Sequence, residues 1–311
     1  MYNFRTDLAD ERRDLYKKAN NIENEIDGIE AEEENIIDKI KVTRVKITNE
    51  KGEQAIGKVK GTYTTIDIQK INILTEEEIE KASETLANEI KKLIEGKVDS
   101  KDDILVVGLG NSEVTPDALG PNVIKNIEIT RHIINYLPQY IDENARPVSA
   151  IAPGVLGTTG IETYEIIKGI IEHTKPKLLI VIDALASRSI ERISSTIQLS
   201  DTGIIPGAGV GNTRKELTIN SLGIPVIAIG IPTVVETAVV VNDALNIFIE
   251  KLQEEAKSND YLNELKQEDN YEEIKEALLP KDYNFIVTPK EIDELILNMS
   301  SVIAKGINMS L

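Results

Sequence analysis

Two aspartates stand where acid–base chemistry is possible, because each follows an apolar run typical of a buried strand. Asp117 lies in the loop 110–121, which is rich in Gly, Pro and small polar residues, and Asp183 ends the apolar run 178–182. Two carboxyl groups that lie close together do not easily ionise at once, so the pKa of one rises and the pair can share a proton. Such a pair can activate a water molecule and protonate a leaving amine.

Each aspartate also has a structural interpretation of equal weight. Thr115, Pro116 and Asp117 form a good start signal for a helix, and Asp183 could cap a turn after its strand. The argument for catalysis therefore rests on their joint placement. They are about two strand–helix units apart along the chain, so both could face one crevice of a sheet.

The elements that must position the two aspartates alternate between buried strands and helices. The predicted buried strands span residues 103–110, 148–152, 177–183 and 224–230. The predicted helices that follow them span about 121–137, 161–173 and 235–251. This alternation predicts an α/β fold with a mostly parallel sheet and helices on both of its faces. Residues 195–199 predict a less apolar strand, expected at an edge of the sheet.

The first part of the chain differs in character from this α/β region. Residues 1–38 are strongly charged and predict a solvated N-terminal arm. Residues 39–68 alternate between apolar and polar types, which predicts a small antiparallel meander with a turn at 50–53. A capping box then starts a helix over residues 75–95.

The last part of the chain carries a polar segment and a closing helix. The residues at about 252–283 predict an exposed helical insertion. A final helix is expected to begin with Pro289 in its first position, to end near Ala304 and to pack on the core. We therefore divide the chain into an arm, 1–38, and one α/β domain, 39–311.

Composition excludes several classes of function. The chain carries 53 acidic and 35 basic side chains, a formal net charge of −18, and such a field disfavours direct binding of nucleic acid. The absence of cysteine excludes disulfides and thiolate nucleophiles. His132 and His173 are the only histidines, so a His-rich metal site has little support. No apolar stretch approaches membrane-spanning length and no signal peptide is recognisable, so we expect a soluble intracellular protein.

Ligands of an open parallel sheet bind outside the carboxyl ends of its strands, in loops that here are rich in glycine. Gly207, Gly209 and Gly211 could let the backbone approach a ligand, and their amides could stabilise an oxyanion. Arg188 closely follows Asp183 and could clamp an acidic substrate, although a solvated surface position is equally consistent with the sequence.

Long motifs in these loops and strands resemble the germination proteases of spore-forming bacteria. The motifs occupy residues 106–111, 115–121, 152–160, 182–188, 201–212 and 223–235. Shorter similar segments lie at 41–47 and 287–293, so the resemblance covers nearly the whole chain outside about 252–283.

The resemblance implies an endopeptidase that degrades small acid-soluble spore proteins during germination, in the cytoplasm of the developing spore and the spore core. Its fold would be similar to that of the hydrogenase maturation endopeptidases. Family members are homotetramers, made as zymogens that lose a short propeptide, here about residues 1–7. The catalytic aspartates of the family fall on Asp117 and Asp183. No metal or other cofactor is implied, and the lack of a histidine in a candidate loop favours an aspartic-type mechanism.

The resemblance also gives a meaning to the N-terminus. The family's substrates are cut in sequences similar to Thr-Glu-Ile-Ala, after the acidic residue, and residues 5–11 of this chain are similar to such a site. We therefore predict self-cleavage between Asp7 and Leu8.

Two other functions remain open at this stage. One is a metal-dependent hydrolase that uses the same two carboxylates, which sensitivity to a chelator would reveal. The other is a non-catalytic α/β protein that binds a nucleotide. Gly108 and Gly110 open like a dinucleotide motif, but Glu113 takes the third glycine position and would repel a pyrophosphate.

Overall fold

The chain folds into strands and helices whose order follows the alternation in the sequence. The computed structural model describes residues 6–69, 71–207, 214–256, 274, 276–277 and 285–311. The strands are β1 (Ile29–Ile37), β2 (Ile40–Ile47), β3 (Gly61–Ile68), β4 (Ile104–Gly108), β5 (Val148–Ile151), β6 (Leu178–Ser187), β7 (Thr196–Ser200), β8 (Val226–Glu236) and β9 (Ile286–Val287). The helices are α1 (Ala9–Ala19), α2 (Glu50–Ile56), α3 (Glu76–Ile94), α4 (Leu119–Ile124), α5 (Arg131–Tyr136), α6 (Leu156–Thr159), α7 (Thr163–Thr174), α8 (Ile219–Leu222), α9 (Thr237–Ala256) and α10 (Ile292–Ser310). The predicted insertion at about 252–283 lies mostly outside the described residues.

The nine strands of the described residues form one sheet with the order β1-β2-β3-β7-β8-β6-β4-β5, and β9 pairs with β8. One half of the sheet is parallel and consists of β5, β4, β6 and β8. In the other half, each strand pairs antiparallel with the next in the order β1, β2, β3, β7, and β7 pairs antiparallel with β8. The α/β class and the N-terminal antiparallel strands are confirmed. No helix within the described part of the chain has the length and apolar character needed to cross a membrane.

Strand β7 occupies a different place from the one predicted. It lies inside the sheet, between β3 and β8, rather than at an edge. Its polar side chains suggested exposure, but Thr196 and Gln198 are buried because α1 and the residues before it cover that face. Strand β7 is therefore the junction between the antiparallel and the parallel halves.

Strand β6 is buried on both faces, which explains its continuous apolar sequence. Ile180 and Ile182 pack into a core formed with α3, α4 and α10, whereas Leu179 and Val181 pack against α7. Because side chains alternate along a strand, Asp183 continues the row of Leu179 and Val181. The strand extends four residues beyond Asp183 to Ser187, so this aspartate lies within the strand and not at its end.

The N-terminal region is more ordered than a solvated arm. Ile26 and Ile29 are buried against the meander, and β1 pairs with β2 along its length. The acidic residues of β1 face basic residues of β2, as in the ion pair between Glu33 and Lys41 at 2.6 Å. These cross-strand charges make an acidic sequence compatible with an edge strand, and residues 9–37 are therefore part of the folded unit.

Three local predictions were wrong at their boundaries. The expected turn at 50–53 is the start of α2, because the Asn49 side chain accepts hydrogen bonds from the Lys51 and Gly52 amides at 2.9 and 3.1 Å. The expected helix 121–137 divides into α4 and α5, because the Thr130 amide donates to the Val148 carbonyl of β5 instead of continuing a helix.

The last helix also begins later than predicted. It starts at Ile292 rather than Pro289, because the Thr288 hydroxyl donates to the Thr233 carbonyl at 2.9 Å and holds the preceding residues beside β8. The helix continues to Ser310 and packs on the core as expected, with Met299, Ile303 and Ile307 fully buried.

A close approach of two backbones sets the position of the Asp117 loop. A Cβ atom added to Gly108 would lie 2.2 Å from the Gly120 carbonyl oxygen, and one added to Gly120 would lie 2.2 Å from the Leu109 carbonyl oxygen. The end of β4 and the start of α4 therefore touch through glycines, and the residues between them form a closed loop.

We expect Gly120→Ala to destabilise the protein by about 1–3 kcal/mol, because the added methyl group meets backbone that cannot yield. Gly169→Ala is the matched control, because Gly169 lies in α7 with open space around its Cβ position. That change should stabilise by about 0.5–1 kcal/mol through helix propensity. Urea unfolding measures both, and equal midpoints for the two variants would contradict the close packing of the loop.

Candidate active site

Asp183 is a buried carboxyl on the face of the sheet that α7 covers. Its side chain is 6% exposed, and its Oδ1 accepts a hydrogen bond from the Ala184 amide at 3.0 Å. The parallel partner β4 ends at Gly108, opposite Ile182. Asp183 is thus the first residue of β6 beyond the end of β4, at an opening of the sheet.

Asp117 reaches the same opening from the loop after β4. It ends a short 3-10 helix, Thr115–Asp117, and its Oδ2 accepts a hydrogen bond from the Asn111 amide at 2.8 Å. Gly110 has φ +111° and lies so close that a Cβ atom there would be 1.9 Å from the Asp117 carbonyl oxygen. Only glycine fits this position, so the loop holds Asp117 half-buried over the end of β4.

The two carboxyl groups have different electrostatic environments. Burial raises the pKa of Asp183 well above its ordinary value, and the charges of Asp117 and Asp7 raise it further. Burial also raises the pKa of Asp117, but the hydrogen bond from the Asn111 amide opposes that rise. Asp183 is therefore the carboxyl that favours the protonated state, and Asp117 the one that ionises more readily.

Both aspartates line one cavity of about 430 Å³. Its walls come from the loop after β4, the segment between β5 and α7, residues 183–186 of β6 and the segment after β7. Gly207 is part of this wall, with φ +73°, whereas Gly209 and Gly211 lie outside the described residues. The cavity thus forms at the carboxyl ends of the parallel strands, where ligands of such sheets bind.

Arg188 does not reach this cavity, although the sequence suggested it as a substrate clamp. Strand β6 continues to Ser187, which carries Arg188 away from Asp183. Its guanidinium pairs with Asp243 of α9 at 2.7 Å. The position of Arg188 therefore matches the surface alternative.

Neither histidine lines the cavity: His132 lies on α5 and His173 near the end of α7. Among the described residues, no group of three or more His, Cys, Asp or Glu side chains is arranged to hold a metal ion. The cavity lining includes the acidic residues Asp7, Asp117, Glu162 and Asp183 and the basic residues Arg214 and Lys215.

The N-terminal segment Thr6–Leu8 lies in the same site, which the sequence did not predict. The Asp7 amide donates to the Ala186 carbonyl at 2.9 Å, and the Asp7 carboxylate accepts from the Ala186 amide at 2.9 Å. Strand pairing between β6 and β8 shifts register between Leu185 and Ala186. The irregularity lies next to the residue that binds Asp7, as bulges beside functional sites often do.

The segment is held on both sides of Asp7. Arg12 donates to the Thr6 carbonyl at 2.8 Å, and Leu8 is fully buried. Glu11 accepts hydrogen bonds from the Arg188 and Ser189 amides at 3.0 and 3.3 Å, so the start of α1 is fastened to the end of β6. Residues 6–8 are consequently a fixed strap over the site.

Two cationic side chains lie close to Asp7. Asp7, Arg12 and Lys58 line a second cavity, which shares Asp7 and Leu185 with the first. Burial and the charge of Arg12 lower the pKa of Lys58 to about 8, while Asp7 acts in the opposite direction. Arg12 and Lys58 thus place positive charge close to the acidic side chain of Asp7.

Gln198 lines the second cavity and contacts the strap, and sequence reasoning missed it. Its side chain donates to the Asp7 carbonyl at 3.0 Å and accepts from the Ala9 amide at 2.6 Å. A glutamine within a strand between Ile197 and Leu199 was the available signal. The role of this glutamine could not be predicted, because tertiary contacts decide which segment covers that face of β7.

Comparison with known proteins shows the class of the chain. A family model described as germination protease, Peptidase A25, matches residues 6–264 and 259–311. The germination protease of Clostridium acetobutylicum is 47% identical over 316 residues, covering 100% of this chain and 96% of that protein. That of Caldanaerobacter subterraneus is 49% identical over 311 residues, covering 99% of this chain and 94% of that protein.

A more distant relative and one solved structure complete the comparison. The germination protease of a Geobacillus strain is 41% identical over 353 residues and covers all of this chain. A NiFe hydrogenase maturation protease from Thermococcus kodakarensis aligns over 46% of this chain and 80% of its own, with 19% identity and a TM-score of 0.30. The full-length matches define the chain as a protease. Within that class, it belongs to the germination protease family, as the motifs indicated.

The raised pKa of Asp183 predicts a pH-dependent stability effect. Because the folded state favours the protonated carboxyl, its ionisation costs stability as the pH rises from the ordinary carboxyl range through the raised pKa. Asp183→Asn keeps an acceptor for the Ala184 amide and removes the charge. We expect it to raise the free energy of unfolding at pH 8 by on the order of 1 kcal/mol or more, and to have little effect at pH 4.

Thermal unfolding of intact chains, verified by mass, measures this difference between pH 4 and pH 8. Glu172→Gln is the control, because Glu172 is an exposed carboxylate on α7. A stability change for Asp183→Asn that is the same at both pH values would contradict the burial of a charge at this position.

Proposed function

We propose that this chain is an endopeptidase that degrades small acid-soluble spore proteins when a spore germinates, with Asp117 and Asp183 as an aspartic-type catalytic pair. The observation that carries the proposal is the shared cavity: two carboxyls with raised pKa values lie beside a segment whose sequence is similar to a substrate. Family membership supports the protease activity and the role in germination.

The different environments of the two carboxyls support separate roles. Asp117, which ionises more readily, takes a proton from water, and the resulting hydroxide bonds to the carbonyl carbon of the substrate. Asp183, protonated at the start, gives its proton to the amide nitrogen, and the C–N bond breaks. One new carboxyl and one new amine form, one water molecule is consumed, and the pair again holds one proton.

We propose further that the chain is a zymogen that cuts itself between Asp7 and Leu8. The strap over the cavity supports this, because Asp7 is hydrogen-bonded to Ala186 and lies close enough to Asp183 to affect its pKa. Arg12 and Lys58 near Asp7 are consistent with cleavage after an acidic residue. A homotetramer in the cytoplasm of the developing spore and spore core completes the proposal, on the strength of the family resemblance.

Replacement of either aspartate should abolish cleavage of a purified small acid-soluble spore protein. We expect Asp117→Asn and Asp183→Asn each to lower kcat by about 10³-fold or more, because each removes a general acid or base. Glu113→Gln is the matched control, because Glu113 is exposed in the loop that carries Asp117.

The same assay with a chelator separates the aspartic mechanism from a metal-dependent hydrolase. Wild-type cleavage should be unchanged by the chelator, and its loss would assign the carboxylates to a metal site. Wild-type rates in both asparagine variants would refute the catalytic pair.

Leu8→Pro should block self-processing, because proline replaces the secondary amide of the bond to be cut. Leu8 has φ −79°, which proline can adopt, so the strap keeps its path although the hydrogen bond from the Leu8 amide to Thr6 is lost. Leu8→Met is the control, because it keeps a secondary amide and a similar volume. Intact-mass measurement after incubation at mildly acidic pH should show loss of seven residues in wild type and Leu8→Met, and none in Leu8→Pro. Equal trimming of all three would exclude this bond.

A further inference from the structure

Gln198 uses both ends of its side-chain amide on the backbone around the bond between Asp7 and Leu8. Its Nε2 donates to the Asp7 carbonyl oxygen at 3.0 Å, and its Oε1 accepts from the Ala9 amide at 2.6 Å. A carbonyl oxygen can only accept and a backbone amide can only donate, so these partners fix the orientation of the Gln198 amide. The side chain is 7% exposed, which fixes its position as well.

The register of the sheet places Gln198 and Asp183 on the same face. Gln198 pairs with Gly230 of β8, and Gly230 pairs with Asp183 of β6. Residues opposite one another in a sheet project to the same side, and neighbouring strands lie about 4.8 Å apart. Gln198 and Asp183 are therefore two strands apart in one row, about 10 Å between Cα atoms.

The Leu185 side chain of β6 fills the space over the β8 residue that lies between them. Gly230 has no side chain, and a Cβ atom there would lie 2.5 Å from Cγ of Leu185. The strap crosses this region with Asp7 bonded to Ala186 of β6 on one side and to Gln198 of β7 on the other. The Asp7 carbonyl is thus held at a defined point of the site.

We propose that Gln198 is a catalytic residue that binds the carbonyl oxygen of the scissile bond, in self-processing and in spore-protein substrates alike. This inference rests on the proposed function, which identifies Asp7–Leu8 as a scissile bond. When water adds to the carbonyl carbon, negative charge develops on the oxygen that Nε2 already contacts. A fixed donor at about 3 Å stabilises that charge, and loss of one such donor typically costs about 10²–10³ in kcat.

The second hydrogen bond gives Gln198 a positioning role as well. The Ala9 amide belongs to the second residue after the scissile bond, so one side chain spans the bond to be cut. It binds backbone groups only, and its contacts are therefore independent of substrate sequence. This assignment makes Gln198 an alternative to the amides near Gly207 as the oxyanion donor.

The test compares Gln198→Leu with Thr196→Val in full-length protein that cleaves a purified small acid-soluble spore protein. Gln198→Leu keeps a similar volume but has no donor. Thr196→Val is the matched control, because Thr196 is buried on the same face of β7 and hydrogen-bonds only to Asp67 in the described structure. We expect kcat to fall about 10²-fold in Gln198→Leu with KM changed by less than about fivefold, and to stay near wild type in Thr196→Val.

Two further readouts separate catalysis from a structural clamp. A phosphinic analogue of Thr-Asp-Leu-Ala, which carries anionic oxygens at the scissile position, should bind Gln198→Leu about 10²-fold more weakly than wild type. Gln198→Glu can donate only when its carboxyl is protonated, so its activity relative to wild type should rise as the pH falls. A purely structural role would produce neither result.

The outcomes distinguish this assignment from the proposed function. Normal kcat in folded Gln198→Leu, or a change in KM alone, overturns the role of Gln198 while Asp117→Asn and Asp183→Asn remain inactive. If both asparagine variants cleave at the wild-type rate, the aspartate pair fails and the Gln198 assignment fails with it. Equal loss of kcat in Gln198→Leu and Thr196→Val would also overturn it, because general damage to β7 would then explain the effect.

Discussion

The burial of one carboxyl group inside a strand is the constraint on which the rest of this structure depends. Asp183 continues an apolar row of β6, and its ionisation is opposed by burial and by two neighbouring carboxylates. A group of this kind persists only where the surrounding backbone is fixed. Pairing with β4 up to Ile182 and with β8 as far as Ser187 supplies that rigidity. Because β4 ends one residue before Asp183, the same arrangement opens the cavity.

The N-terminal strap depends on this frame and on a second set of charges. Asp10 at the start of α1 pairs with Arg192 at 2.8 Å, and Arg192 also pairs with Asp67 of β3. Buried ion pairs are weak evidence of stability but strongly restrict geometry. Here they fix the start of α1 between the two halves of the sheet. Residues 6–8 can then pass over Asp183 only along the path that Ala186 and Gln198 provide.

The sequence was informative where local pattern and chain direction determine the answer. Apolar runs located β4, β6 and β8, and the rule for the carboxyl ends of parallel strands brought Asp117 and Asp183 to one edge. Pairing between distant segments was not predictable in this way. Tertiary contacts determine the central position of β7, the burial of Gln198 and the location of Arg188 outside the cavity. The charge of residues 1–38 predicted a solvated arm, but Ile26 and Ile29 are buried against the meander and anchor this region.

The unequal surroundings of the two aspartates are a better guide to their roles than their shared location. Two equivalent carboxyls would share a proton without preference, whereas environments that differ separate their pKa values and assign an acid and a base. Asp117 is half-buried and its charge receives a hydrogen bond from the Asn111 amide. Asp183 is deeply buried and faces the charges of Asp117 and Asp7. Removal of Asp7 from the site would take away one of those charges, so the strap and the protonation of Asp183 are coupled by electrostatics.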